Sequence, residues 1–186
     1  MVTKGSNNIV PRWEWRTFSA SLKFLEHTIG PLADVSPRES SEIYILSLQG
    51  CQNTKLRDGL LDIKCLQQVD DDGLELWEPV LKAKFPLGRG DIAAAFSEWQ
   101  LPLPVLARDS YTSEELLSLL IAAPFALRVA HVNKLRRGFV FQNCLAEFVR
   151  LSVDLHPLQC FSLEHEDRGL ILAALKHLSL RQSFAT

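Results

Sequence analysis

Residues 53–66 read NTKLRDGLLDIKCL, and the way this stretch folds back on itself decides how the rest of the chain is read. Asp58-Gly59 is a two-residue loop signal, because a tight hairpin turn requires positive φ at both central positions. Counting outward, Arg57 faces Leu60, Lys55 faces Asp62 and Asn53 faces Lys64. Side chains alternate along a strand, so Lys55, Arg57, Asp62 and Lys64 share one face while Leu56, Leu61, Ile63 and Cys65 share the other. Lys55 and Arg57 then stand roughly 7 Å apart, where two like charges repel by about 2 kcal/mol at an effective dielectric near 20. In open water that penalty nearly vanishes. The hairpin alone is therefore compatible with a solvated charged face or with a cationic pocket.

The same alternation returns elsewhere. Lys134 and Arg136 repeat the Lys-x-Arg pair, Arg128 shares their face if the strand is regular over 128–136, and Lys82 and Lys84 form a third alternating cationic pair. Carboxylates alternate as well: Glu164 and Glu166 in SLEHED share a face, and Glu147 projects from the preceding strand-like segment. A closed sheet could aim both sets inward and turn its apolar faces outward beneath helices. A lumen of unpaired cations is costly unless anions neutralise it. Polyphosphate suits such a lumen, because Arg and Lys supply directed donors and carboxylates could hold Mg²⁺ or Mn²⁺ against phosphate oxygens.

With 186 residues, 47% of them hydrophobic, the chain is long enough to bury a sizeable core as one domain over 1–186. A formal charge of −2 excludes a globally basic DNA binder. The N-terminal MVTKGSNNIVPRW lacks the apolar core of a signal peptide, and the apolar run 116–127 is short and interrupted, so a cytoplasmic protein without a membrane partner is expected. Cysteines at 51, 65, 144 and 160 form no Cys-x-x-Cys pair and are read as reduced thiols. His131 and His165 form no ligand pair, GRGD at 88–91 lacks the context of a phosphate loop, and the four tryptophans are read as packing residues.

For the elements, the pattern predicts a strand over 12–18, a helix over 20–29 ended by Gly30-Pro31, a strand pair over 42–66, an acidic turn at 70–73, and one or two strands over 74–85 broken by Pro79. Helices follow over 91–99, capped by Asp91, and from Thr112, where Thr112 and Glu115 have the spacing of a capping box. Strand-like segments then lead to an amphipathic helix over 167–178, with Leu170, Leu172, Leu175 and Leu178 as packing positions.

In order along the chain, WEWRTF, KLRDGLLDIK, NKLRR, SLEHED and the closing helix resemble the CYTH, or triphosphate tunnel metalloenzyme, superfamily. That resemblance implies an α+β fold, a closed eight-stranded antiparallel β-barrel forming a tunnel with helices packed outside. It implies a metal-dependent phosphohydrolase acting on a triphosphate or polyphosphate. A catalytically impaired polyphosphate or nucleotide binder and a class IV-type adenylate cyclase remain alternatives, as does a structural role with the charged faces exposed at an oligomer or partner surface. Carried over by position, Glu14 and Arg16 are the catalytic candidates. Lys55, Arg57, Lys64, Lys82, Lys84, Arg128, Lys134 and Arg136 would bind substrate, and Glu14, Glu147, Glu164 and Glu166 would hold Mg²⁺ or Mn²⁺. The chain departs from the family's Glu-x-Glu-x-Lys signature, with Arg12 at its first glutamate and Arg16 at its lysine. A monomer or homodimer is expected.

Overall fold

A computed structural model describes residues 10–29, 36–47, 50, 52–122 and 127–180; Gly30-Pro31, Cys51 and Pro124 lie outside them. The elements in chain order are β1 (Arg12–Ser19), α1 (Lys23–Ile29), β2 (Arg38–Ser47), β3 (Gln52–Arg57), β4 (Leu60–Val69), β5 (Glu75–Lys84), β6 (Leu87–Gly88), α2 (Arg89–Glu98), β7 (Ser110–Tyr111), α3 (Ser113–Ala122), β8 (Leu127–Phe141), β9 (Cys144–Val153), β10 (His156–His165) and α4 (Arg168–His177). Eight strands close into an antiparallel barrel in the order β1-β10-β9-β8-β2-β3-β4-β5. The α+β barrel is the expected fold.

The hairpin forms as counted, with Arg57 opposite Leu60, Lys55 opposite Asp62 and Asn53 opposite Lys64. Asp58 and Gly59 take φ of 52° and 71°, the left-handed pair that a two-residue loop demands. Its apolar face packs outward: Leu56, Leu61 and Ile63 join Ile45 beneath α2 and α3, against Ile92, Phe96, Leu116 and Leu120. Cys65 is the exception, being only partly buried. On the other side of the barrel α1 and α4 cover Phe148, Phe161 and Leu163 with Leu25, Ile29, Ile171 and Leu175. Each such aliphatic side chain stabilises the fold by about 1.5–3 kcal/mol relative to exposure. The usual arrangement of a small barrel is thus inverted, with the oil outside the sheet and the charge within.

Several local expectations change. The strand pair over 42–66 is three strands, because β2 ends at Ser47 before the β3–β4 hairpin begins at Gln52; β2 also starts earlier, at Arg38, and pairs with β8 from Arg38↔Arg136 to Ser47↔Leu127. Pro79 does not break β5. It sits at a register shift opposite β4, past Trp77, where pairing with β1 ends and a missing N–H costs no ladder bond on that side. Asp91 is the third residue of α2 and not its cap, and its carboxylate accepts from the Gly88 N–H at 3.0 Å. The Thr112–Glu115 capping box forms reciprocally, at 3.3 and 2.9 Å. In α4, Asp167 caps by accepting from the Gly169 N–H. Leu175 and Leu178 are buried, whereas Leu170 and Leu172 pack only partly and Ile171 and Ala174 take the innermost places.

Candidate functional site

The in-facing positions of the barrel strands enclose a cavity of about 890 Å³. Arg16 from β1, Lys55 and Arg57 from β3, Lys64 from β4, and Lys134 and Arg136 from β8 all line it, as do Glu14, Glu147 and Glu164. Period-two alternation delivers the pairs Glu14 and Arg16, Lys55 and Arg57, Asp62 and Lys64, and Lys134 and Arg136, the two members of each separated by one outward apolar residue.

At the cationic centre lies Glu42, a residue that the pattern of alternating bases does not single out. Its side chain is fully buried, and three cations converge on it: Arg57 at 3.2 Å, Lys134 at 2.9 Å, and Arg136 through Nη2. Tyr44 donates its hydroxyl proton to the same carboxylate at 2.9 Å. Lys134 also donates to the Tyr44 Oη at 2.7 Å and lies over the Tyr44 ring. Burial alone would raise the Glu42 pKa, but the Lys134 hydrogen bond and charge, Arg136 and Tyr44 outweigh it and hold the carboxyl down at about 2. Burial dominates for the lysines and lowers both Lys55 and Lys134, against the opposing pull of Asp62 and Glu42 respectively. One signal for Glu42 is present in the sequence: Glu42 and Tyr44 alternate with Ile43 and Ile45, the same pattern that marks Lys55 and Arg57.

Around this centre the other charges pair off. Glu14 accepts from Arg16, Lys55 faces Asp62 at 3.4 Å, and Arg136 also reaches Glu147 at 3.2 Å. Arg16 further contacts the Cys160 thiol at 3.2 Å; burial would lower its pKa, yet Glu14 and Cys160 keep it above the ordinary arginine value. Among the described residues Lys64 has no ion-pair partner, and the buried Arg136 Nε donates to nothing.

Four expected members do not join the cavity. Lys82 and Lys84 are exposed, on the part of β5 beyond its pairing with β1. Arg128 shares the in-facing parity of Lys134 but lies opposite Leu46 near the end of β8, where it is exposed and outside the lining. Glu166 follows the end of β10 and is likewise exposed.

The expected metal ligands do not fit a divalent cation in this arrangement. Mg²⁺ and Mn²⁺ seek a set of converging oxygens. Glu14 and Glu147 are instead engaged by Arg16 and Arg136, while the Arg12 guanidinium reaches Glu164 at 3.4 Å and Glu166 at 3.7 Å. Arg12 thus brings a positive charge to two of the expected ligands. Among the described residues no three His, Cys, Asp or Glu side chains are grouped so that they could hold a metal ion.

No family model matches the chain, and no curated protein matches its sequence. Solved structures do match the barrel. A Bacillus halodurans protein provisionally named an adenylate cyclase superposes with a TM-score of 0.52 at 12% identity, over 93% of this chain and 96% of that one. A conserved hypothetical protein of Pyrococcus furiosus gives 0.52 at 14% identity, over 91% of each chain. This chain shares the fold of these structures. At these identities the likeness speaks for the barrel alone, so the chemistry of this lumen rests on its own side chains. No helix among the described residues is long and apolar enough to cross a membrane.

Proposed function

We propose that this CYTH-like barrel binds a short phosphate chain in its lumen and acts as a binding protein, without a metal centre of its own. The observation that carries the reading is the convergence of Arg57, Lys134 and Arg136 on the single buried carboxylate of Glu42. Three cations share the Glu42 carboxylate, with Glu147 and Asp58 also reaching Arg136 and Arg57, and Lys64 and the idle Arg136 Nε add donor capacity nearby. A phosphate chain offers several anionic oxygens that match guanidinium and ammonium donors. The pairing of Glu14, Glu147 and Glu164 with arginines favours binding over the metal-dependent hydrolysis and cyclisation that the resemblance implied.

The test is calorimetry with tripolyphosphate in EDTA, run beside phosphate-release and cyclic-nucleotide assays with Mg²⁺ and Mn²⁺. Tripolyphosphate binds in EDTA, Arg57→Ala weakens it at least tenfold, Lys82→Ala changes it less than twofold, and nothing is turned over. Metal-dependent release abolished by Glu164→Gln would replace this reading with the hydrolase. Cyclic product from ATP would replace it with the cyclase, and an absence of binding would remove the phosphate site altogether.

A further inference from the structure

The lumen has an apolar wall on β8 and β9 facing a polar one on β2 and β3. Strands alternate in direction around the barrel, so the C-terminal ends of β1, β2 and β9 and the N-terminal end of β8 lie at one mouth. The lining side chains there include Phe18 from β1, Leu46 from β2, Ala130 and Val132 from β8, and Leu151 and Val153 from β9, with Asn53 and Lys55 of β3 on the facing wall. On β8 and β9 the lining is uninterruptedly apolar over this stretch, and the next in-facing residues of β8 after Val132 are Lys134 and Arg136. Charge and hydrocarbon therefore abut with no polar layer between them on that wall. Phe18 and Leu46 remain about half exposed, at 55% and 44%. Tyr44 on β2, opposite Ala130, is already committed to Glu42 and Lys134.

We infer that the ligand is a phosphate chain esterified to an apolar organic group, its phosphates at Arg57, Lys134 and Arg136 and its hydrocarbon against Val132, Leu151 and Val153. This rests on the phosphate-binding reading and adds the class of ligand. A nucleoside fits the β8–β9 wall poorly, because ring nitrogens and ribose hydroxyls turned toward Ala130, Val132, Leu151 and Val153 would lose water without gaining partners on that wall. A hydrocarbon loses nothing and gains the burial. The six-residue step along β8 from Ala130 to Arg136 is roughly 20 Å, long enough for a diphosphate carrying a chain of about ten carbons.

Calorimetry on the full chain with pyrophosphate, geranyl diphosphate and ADP, all in EDTA, tests this. Geranyl diphosphate binds at least tenfold more tightly than pyrophosphate, and ADP gains less than threefold. Val132→Asn and Leu151→Asn each cut the geranyl advantage severalfold while pyrophosphate affinity stays within twofold. Pyrophosphate binding with no gain from the geranyl tail, or with a larger gain for ADP, overturns the apolar-tail inference and leaves the phosphate site standing. Geranyl diphosphate affinity unchanged by Arg57→Ala marks hydrocarbon adhesion and also overturns it. If neither pyrophosphate nor tripolyphosphate binds, the underlying phosphate reading fails with it.

Discussion

Glu42 bears the largest electrostatic responsibility of any single side chain in the barrel. It is the common partner of Arg57, Lys134 and Arg136, and removing its charge leaves three cations facing one another in a closed lumen. Breaking a buried pair by deleting one member costs about 3–5 kcal/mol, so Glu42→Gln is expected to destabilise the fold at neutral pH by about that much in urea titrations. Its pKa lies near 2 in the folded chain against an ordinary value of 4.5. A depressed folded pKa means stability that is present above the unfolded value and lost as pH falls through the folded one. The gap between wild type and Glu42→Gln should therefore be full above about pH 5 and shrink between 4.5 and 2. A gap independent of pH would show that the Glu42 charge is not what stabilises the centre.

At the level of elements, the β3–β4 hairpin is tied to its covering helix by one buried polar contact. The Trp99 indole N–H donates to Thr54 Oγ1 at 2.8 Å, with Thr54 fully buried on β3 and Trp99 just past the end of α2. Thr54→Val keeps the side-chain shape but leaves that donor unsatisfied, which costs about 1–3 kcal/mol. The expected result is a lower urea midpoint with an unchanged slope; an unaltered midpoint would mean that the indole finds another acceptor. The hairpin itself is legible in the amino-acid sequence, because Asp58-Gly59 and the alternation on either side are local properties. The Lys82 and Lys84 pair carries the same alternating pattern and yet lies outside the lumen. Its pattern is sound, but β5 has lost its β1 neighbour by that point.

For the molecule as a whole, closure is uneven. β1 pairs with β10 from Trp13↔His165 to Ser19↔Gln159, but with β5 only through Arg12↔Trp77, Trp13↔Leu76 and Glu14↔Glu75. The β5–β1 seam should open first, so native-state hydrogen exchange is expected to be faster at the seam amides of 12–14 and 75–77 than along β8–β9, where pairing runs from Val132↔Val153 to Phe141↔Cys144. Equal protection in both places would contradict this. Closure also separates the properties that are written locally in the chain from those that are not. The alternating bases, the Asp-Gly turn, the outward leucines and the helix caps act between neighbours in the chain, and the order of the charged motifs carries the resemblance that implied the barrel. Which charges share a centre depends on strands far apart in sequence. Glu42 meets Lys134 and Arg136 only because β2 lies between β8 and β3, and Arg12 reaches Glu164 only because β1 lies beside β10. Period-two alternation decides the face a side chain takes, but the partner waiting on that face is decided by register across the closed sheet.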